Sequence, residues 1–173
     1  MDTLDAIFTR KSTRRFTEQP VEQAVIHTIL QAGMSGPTCV NARDWEFIVV
    51  TERRILERMA EANGKPAEPL RRAAFGILLC GSLDRAFPPA QDYWIIDAAI
   101  AGQNMILAAQ AQGVGSVWLG TWPQMERVEK LSELFHLPAN VMPHSILAFG
   151  YPTEKNTALR NQYEAEKVHF EKW

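Results

Sequence analysis

The sequence predicts an α/β or α+β sandwich, and three observations carry that expectation. Four short segments, 45–50, 75–80, 116–120 and 145–149, have the length and the bulky or β-branched residues of strands. Stretches with apolar residues at helical spacing separate them, so strands and helices alternate along the chain. The length, 173 residues with 46% hydrophobic and 22% charged, suits a single domain spanning 1–173. A chain of this size buries about 70% of its unfolded surface. Such a composition excludes a largely disordered chain. A net charge of -2 speaks against general nucleic-acid binding, which requires a basic excess.

The elements follow in order. A short helix from Asp2 to Arg10 ends in a cluster of cations. Pro20 stands as a first-turn proline, and Val21, Ala24, Val25, Thr28, Ile29 and Ala32 form an amphipathic stripe closed by Gly33. A loop rich in glycine and proline leads to the strand Trp45 to Val50, and a helix follows from Arg53 to Ala62. Asn63 to Pro69 contains Gly64 and two prolines and reads as a mobile loop. Phe75 to Cys80 is apolar on both faces and is therefore a central strand.

Tyr93 to Ala111 is apolar or small at nearly every position, about 28 Å of helix. Asp97, Gln103 and Asn104 interrupt it, so it is no membrane span and reads as a helix buried on every side. Gly113 stops it, and a third strand runs from Ser116 to Gly120. Pro123 opens a helix with the stripe Met125, Val128, Leu131 and Phe135. The last strand, Ser145 to Phe149, ends in Gly150-Tyr151-Pro152. Residues 153–173 form a polar arm that finishes in Val168, Phe170 and Trp173.

Cys39 and Cys80 make no disulfide framework, and the first residues carry acid where a secretion signal carries positive charge. A cytoplasmic protein with two free thiols is expected.

Three clusters bear on chemistry. Arg10-Lys11-Ser12-Thr13-Arg14-Arg15 places four cations and two hydroxyls in six positions. Guanidinium forks and hydroxyls suit phosphate oxygens, and an extended backbone would put Arg10, Ser12 and Arg14 on one face. A solvated basic turn is the alternative. The loop Gly36 to Asp44 offers small residues, a proline and the amide of Asn41, which suits presentation of backbone to a ligand and equally suits any helix-to-strand connection. Gly120, at a strand end, lets a flat ligand approach the backbone.

Other chemistry is not indicated. Gly113 and Gly115 follow a helix and precede a strand, the reverse of a dinucleotide fingerprint. His27, His136, His144 and His169 lack metal-ligand spacing and read as structural or surface residues. Cys39 has no histidine nearby in sequence and reads as a bystander. A phosphate site beside a slot for something flat, without acid–base machinery, suggests a cofactor that brings its own chemistry.

Several motifs together resemble the nitroreductase-like family of FMN enzymes. They are Arg10-x-Ser12-x-Arg14-x-Phe16, Pro37-Thr38-x-x-Asn41-x-x-x-Trp45, Asp97-x-x-x-Ala101-x-Gln103-Asn104, Gly115-Ser116-Val117-Trp118-Leu119-Gly120 and Gly150-Tyr151-Pro152. The resemblance covers nearly the whole chain. It implies a mostly antiparallel sheet of four to five strands flanked by helices, in an intertwined homodimer with FMN at the subunit interface. It assigns Arg10 and Ser12 to the phosphate and ribityl end, counts Lys11 between them among the cofactor-binding residues, and assigns Arg14 to the pyrimidine edge, where a cation stabilises reduced flavin. Pro37, Thr38 and Asn41 match the loop given to the partner's site, and the backbone at Leu119 and Gly120 meets the flavin near N5 and O4. Arg160, in an arm wrapping onto the partner, matches a second phosphate-binding arginine; Lys155 and Lys65 are lesser candidates.

The implied activity is ping-pong hydride transfer from NADH or NADPH through FMN to a small electron-poor acceptor, with no catalytic side chain, no nucleic acid and no membrane. A flavin carrier or sensor is the other reading. Two departures bear on substrate: Arg43-Asp44 replaces the Gln-Pro of many members, and Leu119 replaces an acidic residue.

Overall fold

The computed structural model describes residues 1–154, 158–160 and 162–173. Its centre is a four-stranded sheet: β1 (Trp45–Val50), β2 (Phe75–Ser82), β3 (Gly115–Gly120) and β4 (Val141–Gly150) in the order β1-β2-β4-β3. Every neighbouring pair is antiparallel. The fold is thus the α+β sandwich that the strand and helix patterns predict.

Alternation along β2 sorts the core into two layers. Phe75, Ile77 and Leu79 face one way, with Phe149 and Leu147 of β4. Helices α2 (Gln23–Met34) and α4 (Tyr93–Ala111) cover that face through Ile26, Ile29, Met105, Ile106 and Ala109. Leu78 and Cys80 face the other way, onto Leu56 and Met59 of α3 (Arg53–Asn63) and Leu131 of α5 (Met125–Phe135). Burial on both faces explains why β2 is an unbroken apolar run rather than an alternating one.

Several elements differ from the pattern that the sequence predicts. The buried stripe of α2 is Ile26, Ile29 and Gly33, while Ala24 and Thr28 are exposed. Gly33 lies inside the helix, where a Cβ would come 2.3 Å from Met105 Cε; it is a contact glycine and not a stop. Pro20 and Pro123 each lie just outside the helix they precede, whose N-caps are Glu22 and Gln124.

Residues Lys65–Arg72 form 3-10 turns rather than a mobile loop. Ala67 and Leu70 are fully buried there, and Arg53 donates from its guanidinium to the carbonyls of Arg71 and Ala73. Packing overrides the breaker residues in this segment. Gly113 does end α4, with φ of 76°, but Gly115 serves a different purpose, described below.

Within one copy, α4 is not covered on every side. The sheet, α2 and α1 (Thr3–Thr9) enclose Trp94, Asp97, Ala98, Ala101, Gly102, Met105, Ile106 and Ala109, but Tyr93 and Ile96 remain exposed. Leu4, Ile7 and Phe8 of α1 are exposed as well. In the C-terminal arm, Phe170 and Trp173 stand almost entirely in solvent.

Candidate functional site

The cationic strip is held by the edge of the sheet. Arg10 caps the end of α1, and Ser12 bridges in parallel to Ser116 on β3. The Thr13 N–H donates to the Ser116 carbonyl at 2.8 Å, and Phe16 bridges to Pro152. Two glycines make this close approach possible. A Cβ at Gly115 would lie 2.6 Å from Thr13 Oγ1, and one at Gly150 would lie 2.9 Å from the Phe16 ring. Thr13 and Phe16 therefore point inward, while Lys11, Ser12 and Arg14 face solvent. The strip also covers an edge strand that would otherwise present unpaired backbone.

Arg160 joins the strip from the far end of the sequence. Its N–H donates to the Phe8 carbonyl at 2.8 Å, and its Nη1 donates to the Arg10 carbonyl at 3.0 Å. Burial and the charge of Arg160 lower the Arg10 guanidinium from its ordinary value. Neither arginine has a carboxylate partner among the described residues. Two half-buried like charges held together in this way call for an anion. Lys155 lies outside the described residues.

The strand end that carries Leu119 and Gly120 is fixed from behind. The Leu119 side chain belongs to the core, so only its backbone is available to a ligand. The Gly120 carbonyl accepts from Asn63 Nδ2 at 3.2 Å and Arg127 Nη1 at 2.9 Å. Asn63 is buried and its oxygen accepts from Thr121 Oγ1 at 2.8 Å. A Cβ at Gly120 would meet nothing within 4 Å, so one face of this backbone is open. Asn63, Thr121 and Arg127 were not signalled in the sequence: no spacing links an asparagine in α3 to a glycine 57 residues later.

The loop before β1 is built on a different principle. Val40, Asn41 and Arg43 all have positive φ, at 46°, 57° and 51°. Each such residue costs about 1–2 kcal/mol. The Cys39 N–H donates to both carboxylate oxygens of Asp97, at 3.1 and 3.0 Å, and the Arg43 N–H donates to Thr38 Oγ1 at 3.0 Å. A charge-assisted bond contributes about 1.5–3 kcal/mol, so these anchors offset only part of the strain. Pro37 and Asn41 face solvent, and Thr38 is half-buried.

Asp44, at the end of this loop, is fully buried, and neither carboxylate oxygen has a donor among the described residues. Burial first, and then the charge of Asp97, push its carboxyl up to about 6. The visible signal for this pair was a single acid, Asp97, in an otherwise apolar helix; its partner is far away in sequence. Cys39 takes part in this anchor through its backbone N–H. His144 packs edge-on against Trp94 and Trp118, and burial lowers it to about 4, which leaves it neutral and structural.

The structure therefore holds the strip and the loop apart, at opposite ends of α4, and sets Leu119 and Gly120 at the end of β3 away from the Ser12 bridge. Thr9, next to Arg10, accepts from Gln110 near the C-terminus of α4. The loop is tied to Asp97 near its N-terminus. Thirteen residues of helix, about 20 Å, separate these anchors. The sheet says the same: the loop enters β1 at one edge, and the strip lines β3 at the other.

This arrangement is the nitroreductase fold. A Bacteroides thetaiotaomicron crystal structure assigned as an NADH dehydrogenase/NAD(P)H nitroreductase matches it with a TM-score of 0.91 at 38% identity, over 99% of this chain and 98% of that one. The nitroreductase family model matches residues 7–151, and the chain belongs to that family. A Methanothermobacter thermautotrophicus protein with the same assignment is 39% identical over 100% of this chain and 88% of its own. An FMN-dependent nitroreductase from Clostridium difficile is 26% identical, with a TM-score of 0.88 over 99% of this chain and 98% of its own. Among the described residues, no helix is long and apolar enough to cross a membrane.

Proposed function

We propose that this chain is a cytoplasmic FMN-dependent NAD(P)H oxidoreductase whose flavin sites form between two copies. The observation that carries this reading is the guanidinium pair, Arg10 and Arg160, without a carboxylate partner among the described residues, on the strip that lines β3, the strand whose end at Gly120 leaves its backbone open. A dianionic phosphate satisfies the first feature and a flat ring the second. FMN-dependent nitroreductase and NAD(P)H nitroreductase are the names that relatives carry.

In this reading Arg10, Lys11, Ser12 and Arg160 hold the phosphate and ribityl end. Arg14 lies at the pyrimidine edge, where its charge favours the reduced cofactor. Leu119 and Gly120 offer backbone to the ring, held rigid by Asn63 and Arg127. When bound, FMN would supply the redox chemistry for ping-pong hydride transfer between NAD(P)H and an electron-poor acceptor such as a nitroaromatic, quinone, flavin or enone.

Pro37, Thr38 and Asn41 complete the site in the second copy. Within one copy the anchors of loop and strip, Asp97 and Gln110, lie about 20 Å apart along α4, so the loop does not reach the phosphate end held by Arg10. Contacts with the second copy supply what the strained loop lacks. The exposed apolar residues Tyr93, Ile96, Leu4 and Ile7, and an arm ending in exposed Phe170 and Trp173, offer the surface for that association.

Purified protein is expected to be yellow or to take up added FMN, and its flavin absorbance to bleach under anaerobic NADPH or NADH and return on adding acceptor. A protein that binds no FMN refutes the reading. One that binds FMN yet is bleached only by dithionite is a flavin carrier or sensor instead.

A further inference from the structure

The 3-10 segment Lys65–Arg72 and the cationic strip enclose an open groove of about 790 Å³. Arg14, Arg15, Lys65 and Arg72 line it, with Phe16 and two prolines as its apolar part. It holds one carboxylate, Glu68, which accepts from Arg71 Nε at 3.1 Å. None of the four cations has a carboxylate partner among the described residues. Four cations against one engaged acid leave a local excess of positive charge on a chain whose net charge is -2.

The volume fits a substantial organic ligand. Three of the cations are arginines, whose planar forks match phosphate oxygens two at a time. The apolar floor suits a flat base beside those phosphates. Such a ligand carries several negative charges and an aromatic body, which describes a phosphorylated nucleotide.

We propose that this groove receives the phosphate-bearing adenosine of the electron donor and makes the enzyme prefer NADPH to NADH. The inference rests on the flavin reading above, because Arg14 links the groove to that site. The extra 2′-phosphate of NADPH is a dianion, and it is the one charged group that distinguishes the two donors. Lys65 and Arg72 are the discriminating residues. Both are exposed and have no ion pair among the described residues, so the fold is expected to survive their replacement.

The test is a titration of FMN-saturated protein with NADP⁺ and, separately, NAD⁺, read by tryptophan fluorescence; neither oxidised nucleotide transfers hydride. The wild type is expected to bind NADP⁺ about tenfold more tightly than NAD⁺, a factor typical of one charge-assisted contact. The variant Arg72→Ala is expected to lose that preference and to keep its NAD⁺ affinity and its FMN content. Equal affinities in the wild type overturn the proposal, as does unchanged NADP⁺ binding in the variant. Loss of FMN from the variant would place this cation in the flavin cradle and also overturn it. A rise in KM for a carboxylated quinone with NADP⁺ binding unaltered would assign the groove to an anionic acceptor instead. If the wild type takes up no FMN, the flavin reading fails by itself, and the same titration of the flavin-free protein still decides the groove.

Discussion

The two ends of α4 solve opposite problems with the same backbone. At the C-terminal end, an extended strip lies on the edge of β3, and its strain is electrostatic: Arg10 and Arg160 are held together without a counter-ion among the described residues. At the N-terminal end the strain is conformational: three residues with positive φ are pinned to Asp97, beside the buried Asp44. One end lacks an anion, and the other lacks contacts. Each is the kind of deficit that a bound ligand or a second copy relieves, and neither is resolved within a single chain.

Breaking the cationic end is expected to have the largest effect. Arg10→Ala/Arg160→Ala removes two charge-assisted contacts at about 1.5–3 kcal/mol each, so FMN affinity should fall by about 100-fold or more. Equilibrium dialysis against FMN measures it. Melting temperature should hold or rise, because a repulsive pair has been removed; a large loss of stability would mean that the pair is structural.

Breaking the loop end should cost less. Asp97→Ala removes the acceptor of the Cys39 N–H, and FMN affinity should fall about tenfold. Asp97→Asn keeps an oxygen in place and should retain most of the affinity. If both variants bind FMN as the wild type does, the loop takes no part in the site.

The smallest effect is on stability, and it depends on pH. The Asp44 carboxyl is raised to about 6 from an ordinary 3.8, so the unfolded chain ionises before the folded one. Below about pH 4 the carboxyl is protonated in both states and the penalty vanishes. As pH rises through about 6, the folded protein must bury a charge, and stability is lost to the extent of about 2–3 kcal/mol. Asp44→Asn removes that penalty, so its melting temperature relative to the wild type should climb between about pH 4 and pH 7. A difference that stays constant across this range would show that Asp44 does not titrate there.

How much of this was legible in the sequence follows from the range of the interactions. Strands β1 and β2 and helix α4 are written in local patterns, and their limits are seen within a residue or two. The segment 63–69 was misread because prolines and a glycine are local breakers, whereas the burial of Ala67 and Leu70 is a tertiary fact. The close packing at Gly115 has no local signal, because nothing nearby in sequence announces Thr13 against it. In the site, the cationic strip and the Gly120 strand end were visible as motifs. The supports were not: Asn63 to Gly120, Asp97 to Cys39 and Arg160 to Arg10 each join residues more than fifty positions apart.

The central claim is that each site takes its cationic strip from one copy and its loop from the other. Co-expression of the Arg10→Ala/Arg160→Ala chain with the Asp97→Ala chain tests it directly. In the mixed dimer one site would carry both defects, and the other would carry none. Purified heterodimer is expected to bind about one FMN per dimer with wild-type affinity, although neither parent variant does. Two weakened sites per heterodimer, with no native-affinity component, would place strip and loop in the same chain's site and contradict it.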